Sequence, residues 1–416
     1  MSEHRLDDVR LLALQASKYP EVDMSFALDQ IAGWQTARKK LPTWAACNDI
    51  VYPPHLNMEQ CSSEQTARYK AHSQPKVKRL IPQTTKSRFV DLTGGFGVDF
   101  YFMSQGFDER IYVEQNPQLC AISSKNFESL GLQATIANAD AEAYLQMMEP
   151  ADVIYMDPAR RNEHGGRTYS IADCTPNIQE LLPMLTVKTQ CLILKLSPML
   201  DWRKAVDDLN EASIIQHPTP TILRVSEIHI VSVQNECKEL VIVMNQQTTT
   251  NDSSQDIHIA CVNLLPNDKH EVFNVHSNDS VNITEKAAST SLLEELGVGY
   301  LFEPNASVMK AGCFAELSRR FHLQPLAANS HLFLTDEANP LLPGRLFYLD
   351  DVSTMNKKAL QKMLSDVDSA NITVRNFPMS VAELRKRLKL KDGGDTYLFA
   401  TTLSTGKHVL IKTRKV

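Results

Sequence analysis

Between residues 88 and 157 the sequence alternates short apolar runs with helix-like segments, and this alternation limits the possible folds more than any other feature. The runs RFVDL, IYVE, ATIAN and ADVIYMDP each have the length and composition of a buried strand. Strands joined in this way by helices form a parallel sheet with helices on both faces. We therefore predict a doubly wound α/β domain, continued by LILKLS and by an antiparallel hairpin around Asn235-Glu236.

A glycine-rich turn follows the first apolar run, as Thr93-Gly94-Gly95-Phe96-Gly97, and a helix is predicted to start near Val98. Glycine permits unusual φ angles and the close approach of a ligand. The spacing is Gly-Gly-x-Gly behind Asp91, whereas dinucleotide-binding turns have Gly-x-Gly-x-x-Gly. A carboxylate at this place would repel a pyrophosphate but could hold an ammonium group, directly or through water. The charge argument therefore favours S-adenosylmethionine over NAD or FAD.

Carboxylates also stand at the ends of the next runs. Glu114 ends the second run, where a carboxylate can accept both hydroxyls of a ribose. Asp140 follows the third run and could accept the exocyclic amine of adenine, and Asp157-Pro158 ends the fourth, beside the place where the methyl group would leave. The predicted cofactor-binding residues are Asp91, Thr93, Gly94, Gly95, Gly97, Asp99, Glu114, Gln115, Asp140, Ala141 and Asp157.

Together these motifs resemble the class I methyltransferase family, with its glycine-rich first motif, acidic second motif and Asp-Pro fourth motif. The resemblance covers residues 85 to 245. Three further segments are similar to a group of bacterial methyltransferases with a ferredoxin-like segment followed by a THUMP-like domain: EQCSSEQTARYKA, YLFEPNASVMKAG and TVRNFPMSVAELRKRLKLKDGGDTYLFATTL. Because THUMP domains are associated with RNA binding, this kinship implies a tRNA or rRNA substrate.

The Asp157-Pro158-Ala159-Arg160 sequence indicates the chemistry. It is similar to the Asp/Asn-Pro-Pro-aromatic loop of amino-methylating enzymes, which holds an NH2 group between a side-chain oxygen and a proline carbonyl. The resemblance implies that Asp157 and Pro158 are catalytic and that transfer to nitrogen is direct and in-line. Arg160 replaces the aromatic residue, so we predict that Arg160, Arg161 and Tyr169 contact the substrate.

The same motif also resembles that of enzymes that methylate C5 of uracil. Those enzymes need a cysteine that adds covalently to the ring, in a Ser-Cys-Asn-Pro sequence beyond the next strand. This chain has Lys195-Leu196-Ser197-Pro198 there. Serine is far less nucleophilic near neutral pH, which disfavours the covalent route.

Basic charge is concentrated near the C-terminal end of the sequence. The formal net charge is -6, but residues 375 to 416 contain ten Lys or Arg and three Asp or Glu. Arg385, Arg387 and Lys389 belong to a basic cluster on a helix predicted to open at Ser380, and such a cluster can neutralise RNA phosphates. The alternative is an ordinary solvated helix face.

Four regions are predicted: a helical region (1–80), a class I methyltransferase domain (81–250), a hairpin with a ferredoxin-like segment (251–322) and a THUMP-like domain (323–416). The ferredoxin-like and THUMP-like parts are predicted to form an α+β module, because helix-like and strand-like runs are mixed from about residue 280 onward. No run approaches the ~20 apolar residues of a membrane span. The eight cysteines show no Cys-x-x-Cys pair and no nearby His cluster. We therefore expect a cytoplasmic protein that binds neither a membrane nor a metal ion.

Two other functions remain compatible with the sequence, and the oligomeric state is open. One is a methyltransferase that acts on a protein or small molecule. The other is a non-catalytic RNA-binding protein that retains the cofactor-shaped fold.

Overall fold

The computed structural model describes residues 2–72, 87–160, 170–215, 221–248, 256–280, 299–327 and 329–416. The chain divides into two compact units. The first consists of Met1–Val231 with Lys238–Ile257, and the second of Ser232–Cys237 with His258–Val416. The first unit thus contains both the N-terminal region and the region predicted to be catalytic.

Short helices open the first unit: α1 (Val9–Leu14), α2 (Met24–Lys40), α3 (Pro42–Ala46), α4 (His55–Gln60) and α5 (Glu64–His72). Asp8 and Asp23 cap α1 and α2, because their carboxylates accept backbone N–H groups of the first turn. Pro42 begins α3, where its missing N–H is not needed. The predicted helical character of this segment is confirmed.

The strands that follow are β1 (Arg88–Asp91), β2 (Glu109–Glu114), β3 (Thr135–Asn138), β4 (Ala151–Met156), β5 (Ala159–Arg160), β6 (Cys174–Thr175), β7 (Thr189–Leu196), β8 (Thr221–Val233) and β9 (Glu236–Thr248). The helices among them are α6 (Val98–Met103), α7 (Pro117–Ser129), α8 (Ala141–Met147), α9 (Ile178–Lys188) and α10 (Trp202–Ile215). A two-residue turn with positive φ at Gln234 and Asn235 joins β8 to β9, as in hairpins of right-handed twist.

The main sheet of this unit has the order β8-β9-β7-β4-β1-β2-β3. β1 is parallel to both β2 and β4, β7 is parallel to β4, and β9 is antiparallel to β7. Phe89, Val90, Val153 and Ile154 are fully buried, as in a sheet covered on both faces. Strand order reverses between β1 and β4, and ligands of such sheets bind at the carboxyl ends beside that point. The predicted doubly wound fold is confirmed.

The second unit contains the hairpin β10 (His258–Leu264) and β11 (His270–His276), then β12 (Tyr300–Pro304), β13 (Gln324–Pro325), β14 (Phe333–Thr335), β15 (Gly344–Thr354), β16 (Asn371–Arg375), β17 (Thr396–Thr402) and β18 (His408–Lys415). Its helices are α11 (Ala306–Ala311), α12 (Phe314–Phe321), α13 (Lys357–Met363) and α14 (Val381–Leu388). The segment LLEELGV (292–298), whose apolar spacing predicts a helix, lies outside the described residues.

One sheet, in the order β13-β14-β12-β15-β18-β17-β16, organises most of this unit. Alternate residues of β17 enter two cores: Phe399 packs in one, and Leu398 and Ala400 pack in the other with Leu360 of α13 and Leu384 of α14. The predicted mixed α+β character is confirmed.

Candidate active site

The glycine turn after β1 is shaped by what surrounds its backbone. A Cβ atom at Gly94 would lie 2.2 Å from the ring of Tyr112, so no larger residue fits there without displacing that ring. Gly97, the N-cap residue of α6, has φ +81°, a conformation that favours glycine. The Tyr112 hydroxyl donates to the Gly95 carbonyl at 2.5 Å. The turn is therefore held rigidly over the end of β2.

Glu114, at the end of β2, is bonded to this turn. Its carboxylate accepts the Gly95 N–H at 2.9 Å through one oxygen and the Asn116 N–H at 2.8 Å through the other. Gln115 follows it on the wall of the same cavity. The Glu114 carboxylate is thus oriented by the backbone and keeps lone pairs toward the cavity, since each oxygen can accept more than one hydrogen bond.

Asp91 is a buried carboxylate, 1% exposed, at the end of β1. One of its oxygens accepts the Thr93 N–H at 2.9 Å. Burial raises its pKa well above the usual range, and the nearby carboxylates of Asp99, Asp157 and Glu114 raise it further. Among the described residues no cation pairs with Asp91.

Asp140 and Ala141 lie where β3 leads into α8. Asp140 is exposed and caps α8, because its Oδ1 accepts the N–H groups of Glu142 at 2.9 Å and Ala143 at 3.1 Å. The capping function uses one carboxylate oxygen and fixes the side chain at the cavity wall. The contact of Asp140 with adenine, which would use the other carboxylate oxygen, stays a prediction.

The Asp157-Pro158 corner follows β4, and several contacts fix it. The Asp157 N–H donates to the Thr93 hydroxyl at 2.6 Å, which ties this corner to the glycine turn. The Asp157 carboxylate forms an ion pair with Lys195 of β7, and its side chain is 37% exposed. Just beyond, β5 pairs with β6. The corner is therefore well ordered by its neighbours.

Asp157 is one end of a line of five buried or partly buried charges that alternate in sign, which we call the charge chain: Glu239, Lys70, Asp99, Lys195 and Asp157. Lys70 Nζ lies 2.5 Å from Glu239 Oε2 and 3.0 Å from Asp99 Oδ1, and Lys195 Nζ lies 3.8 Å from Asp99 Oδ2. The sequence prediction included Asp99 and Asp157 but missed the other three. The lysine within the apolar strand LILKLS was a usable signal for Lys195.

The charges of this chain determine one another's protonation. Burial alone would raise the pKa of Asp99, but Lys70 and Lys195 lower it to about 2. Burial likewise acts to lower the pKa of Lys195, but Asp157, Asp99 and Glu239 outweigh it and raise that pKa. Lys195 is therefore charged at neutral pH. The charge chain contains three acidic side chains and two lysines, so its formal charge is -1.

A cavity of about 710 Å³ lies at the ends of β1, β2, β3 and β4, and its size is typical of small-molecule sites. Every predicted cofactor-binding residue lines it, as does Pro158. Residues of α4, of the α4–α5 connection and of β6 and β7 complete its wall, among them Asn57, Gln60, Ser62, Cys174 and Lys195.

The predicted substrate-binding residues fall in several places. Arg161 and Tyr169 lie outside the described residues, and of Arg160 only the backbone, in β5, is described. In the second unit, Arg385 donates to the carbonyls of Ala370 and Lys391 and pairs with Asp392. Its guanidinium therefore stabilises the local fold.

Arg387 and Lys389, the other two predicted RNA contacts, are exposed at the end of α14. Arg387 donates to the Met355 carbonyl at 3.3 Å, and Lys389 ends the helix with φ 58°. The neighbouring Lys386 is also exposed. The helix opens at Ser380, as predicted, and a capping box between Ser380 and Glu383 fixes its first turn.

Membrane-spanning helices and clusters of metal ligands are both absent from the described residues. None of their helices has both the length and the apolar character needed to cross a membrane. In the same part of the chain, no three His, Cys, Asp or Glu side chains converge as metal ligands would.

Family models match two adjacent segments of the second unit. A ferredoxin-like domain matches residues 300–343, and a THUMP domain-like model matches residues 344–415. No curated protein matches the sequence.

Solved structures extend the comparison to nearly the whole chain. A proposed methyltransferase from Porphyromonas gingivalis W83 is 30% identical with a TM-score of 0.79, and the match covers 96% of this chain and 91% of that one. A proposed class I S-adenosylmethionine-dependent methyltransferase from Listeria monocytogenes is 12% identical with a TM-score of 0.38, over 61% of this chain and 78% of its own. The second score is too low to support any argument about this chain. The first match and the two family models show that the chain belongs to the class I S-adenosylmethionine-dependent methyltransferase family, in the group with C-terminal ferredoxin-like and THUMP-like domains.

Proposed function

We propose that the protein transfers a methyl group from S-adenosylmethionine to a nitrogen atom of a base in tRNA or rRNA. The observation that best supports this is the shared cavity, in which the glycine turn, Glu114, Asp140 and Asp157-Pro158 line one space of about 710 Å³. Residues from four separate strand ends thus converge on one volume. A cofactor site and an acceptor site are expected side by side in a transferase.

The charges around the cavity fit a cationic cofactor. A buried carboxylate is unfavourable unless it is neutralised or paired, and Asp91 is buried with a raised pKa and no cation beside it among the described residues. The ammonium group of a bound methionine moiety would be a suitable partner. The excess negative charge of the charge chain favours a sulfonium in the same way.

The residues that would hold the cofactor are distributed over the strand ends. Glu114 would accept hydrogen bonds from the ribose hydroxyls, and Asp140 would accept one from the adenine amine. Asp91 would form an ion pair with the methionine ammonium group. When bound, S-adenosylmethionine supplies an electrophilic methyl group on a positively charged sulfur.

Asp157 and the Pro158 carbonyl would orient the acceptor. Each can accept one N–H of an exocyclic amine, which directs the nitrogen lone pair toward the methyl group. Lys195 bonds to one oxygen of Asp157, so the other oxygen is available to the amine. The carboxylate also stabilises the positive charge that develops on nitrogen during transfer. Such positioning can contribute about 7–11 kcal/mol of barrier reduction in well-oriented systems.

The RNA part of the proposal depends on the second unit. The THUMP domain-like match at residues 344–415 supports RNA as the partner, because such domains are associated with RNA binding. The exposed Lys386 and Lys389 lie within this segment and can neutralise phosphates.

The decisive experiment uses the full chain, labelled S-adenosylmethionine and total RNA from cells that lack this protein. We expect label in tRNA or rRNA and, after digestion, an N-methylated nucleoside by mass spectrometry. A C5-methylated pyrimidine would refute transfer to nitrogen. Label that appears only in protein or small-molecule fractions would favour the corresponding methyltransferase. RNA binding without any label transfer would favour the non-catalytic alternative.

A further inference from the structure

Lys70 lies on α5, outside the sheet, yet it is a fully buried member of the charge chain, between Glu239 and Asp99. Its side chain is 0% exposed, and its ammonium lies 2.5 Å from Glu239, 3.0 Å from Asp99 and 3.2 Å from the Ser62 hydroxyl. Glu239 belongs to β9, and Asp99 to α6. The N-terminal helices therefore place a cation between two elements of the catalytic fold.

Asp99 is shared between the two lysines. Its Oδ1 faces Lys70, whereas its Oδ2 accepts hydrogen bonds from Ser62 and Tyr155, each at 2.7 Å, and lies 3.8 Å from Lys195. Because Lys70 neutralises Asp99 at closer range, Lys195 is left to pair with Asp157. The position of Lys195 therefore depends on the balance between its electrostatic attraction to Asp99 and its attraction to Asp157.

We propose that Lys70 is a positioning residue: by neutralising Asp99 it keeps Lys195 paired with Asp157, and so the N-terminal helices complete the methyl-transfer site. This rests on the function proposed above. Without Lys70, Asp99 would retain only Lys195 as a cation of the charge chain. Lys195 would then move toward Asp99 and release Asp157 from its orientation.

Two variants and one control test this role. Lys70→Met removes the cation, and Lys70→Met/Glu239→Gln removes one charge of each sign, which keeps the buried charge balanced and favours folding. The control is Arg68→Met, which also removes a cation from α5 but lies outside the charge chain, with its side chain 52% exposed. Circular dichroism and thermal unfolding establish which variants fold.

The first readout is ¹⁵N NMR of the lysine ammonium groups, which are observable when burial and ion pairing slow their proton exchange. Signals of Lys70 and Lys195 are assigned by their loss in Lys70→Met and Lys195→Met. We expect the Lys195 signal to shift or broaden in both Lys70 variants and to stay in place in Arg68→Met. An unmoved Lys195 signal in a folded Lys70 variant would overturn the proposal.

The second readout is single-turnover methyl transfer. A misplacement of about 1 Å can cost about a hundredfold in rate, and we expect a loss of that order in both Lys70 variants while S-adenosylmethionine affinity changes less than about threefold. Because Lys70 acts through Lys195, the loss in Lys70→Met/Lys195→Met should not exceed that in Lys195→Met alone. Losses that multiply would overturn the proposal.

The two readouts separate this role from the proposed function. The NMR measurement needs neither cofactor nor RNA, so a failure to find any substrate counts against the proposed function and leaves the NMR result to decide on Lys70. If neither Lys70 variant folds, Lys70 serves stability alone and the positioning role is rejected.

Discussion

Substitution Gly94→Ala tests how the glycine turn is constrained. The added Cβ would lie 2.2, 2.5 and 2.6 Å from three ring carbons of Tyr112, whereas carbon atoms normally pack at about 3.5–4.0 Å. The ring must therefore shift by more than 1 Å by this comparison. Tyr112 is fully buried, packs at 5.6 Å from the Phe100 ring and 5.5 Å from the Phe127 ring, and bonds to Gly95.

Such overpacking costs about 1–3 kcal/mol when a core cannot yield. For a folded unit of this size each kcal/mol lowers the melting temperature by about 2–4 °C, so we expect a loss of about 2–12 °C. Because the displaced ring supports the Gly95 carbonyl, and the Gly95 N–H bonds to Glu114, S-adenosylmethionine affinity should fall as well.

The matched control is Gly106→Ala in the same unit, since a Cβ there would have no heavy atom within 4 Å. Thermal unfolding followed by circular dichroism and cofactor titration by calorimetry measure both effects. A Gly94→Ala protein as stable as Gly106→Ala, with the same cofactor affinity, would refute the reasoning.

Four further predictions concern the site and the RNA surface. Glu114→Ala should weaken S-adenosylmethionine binding about ten- to a hundredfold, the value of lost hydrogen bonds to a charged group; unchanged affinity by calorimetry would reject its ribose role. Asp157→Ala should bind the cofactor and fail in single-turnover methylation, so an unchanged rate would remove its catalytic role. Lys386→Glu with Lys389→Glu should weaken RNA binding, and the slope of log K against log salt should fall by about 0.7–0.9 for each lost phosphate contact, while cofactor binding is unaffected; equal RNA retention at physiological salt would indicate a merely solvated helix face. The raised pKa of Asp91 means that its carboxyl group ionises at higher pH than usual, and a bound cation favours the ionised form. Cofactor affinity should therefore increase as pH rises through that pKa, and binding should release a proton. Calorimetry in buffers of different ionisation enthalpy measures this release, and its absence would contradict the prediction.

Local patterns sufficed to predict the strand ends, the glycine turn and the carboxylates at the cavity. Apolar runs, glycines and capping residues act over a few neighbouring residues, which is why the start of α6 and the Ser380 cap are where the sequence indicates. Asp140 illustrates a limit, because its position was predicted but its capping bonds, which use one oxygen, were not.

Ion pairs between residues far apart in the sequence could not be predicted from local patterns. Lys70 and Glu239 are 169 residues apart, and neither stands in a pattern that indicates the other. Helix α13 was also missed because it has seven residues, too few for clear periodicity. Similarly, β9 continues to Thr248 and so includes the first residues of the polar segment NQQTTTNDSSQD, in which no apolar run indicates a strand. Residues 249–255 of that segment lie outside the described part of the chain.

The border between the two family models, at residues 343 and 344, runs through a continuous hydrogen-bonded ladder. β12 pairs with β15 across that border, from Tyr300 opposite Tyr348 to Pro304 opposite Gly344. Separating the two segments at this border would expose two unpaired edge strands, which promote aggregation. Expression of either half alone is therefore a poor strategy, and recombination that exchanged one half for an unrelated partner would be selected against. The pair is expected to be inherited as a single piece.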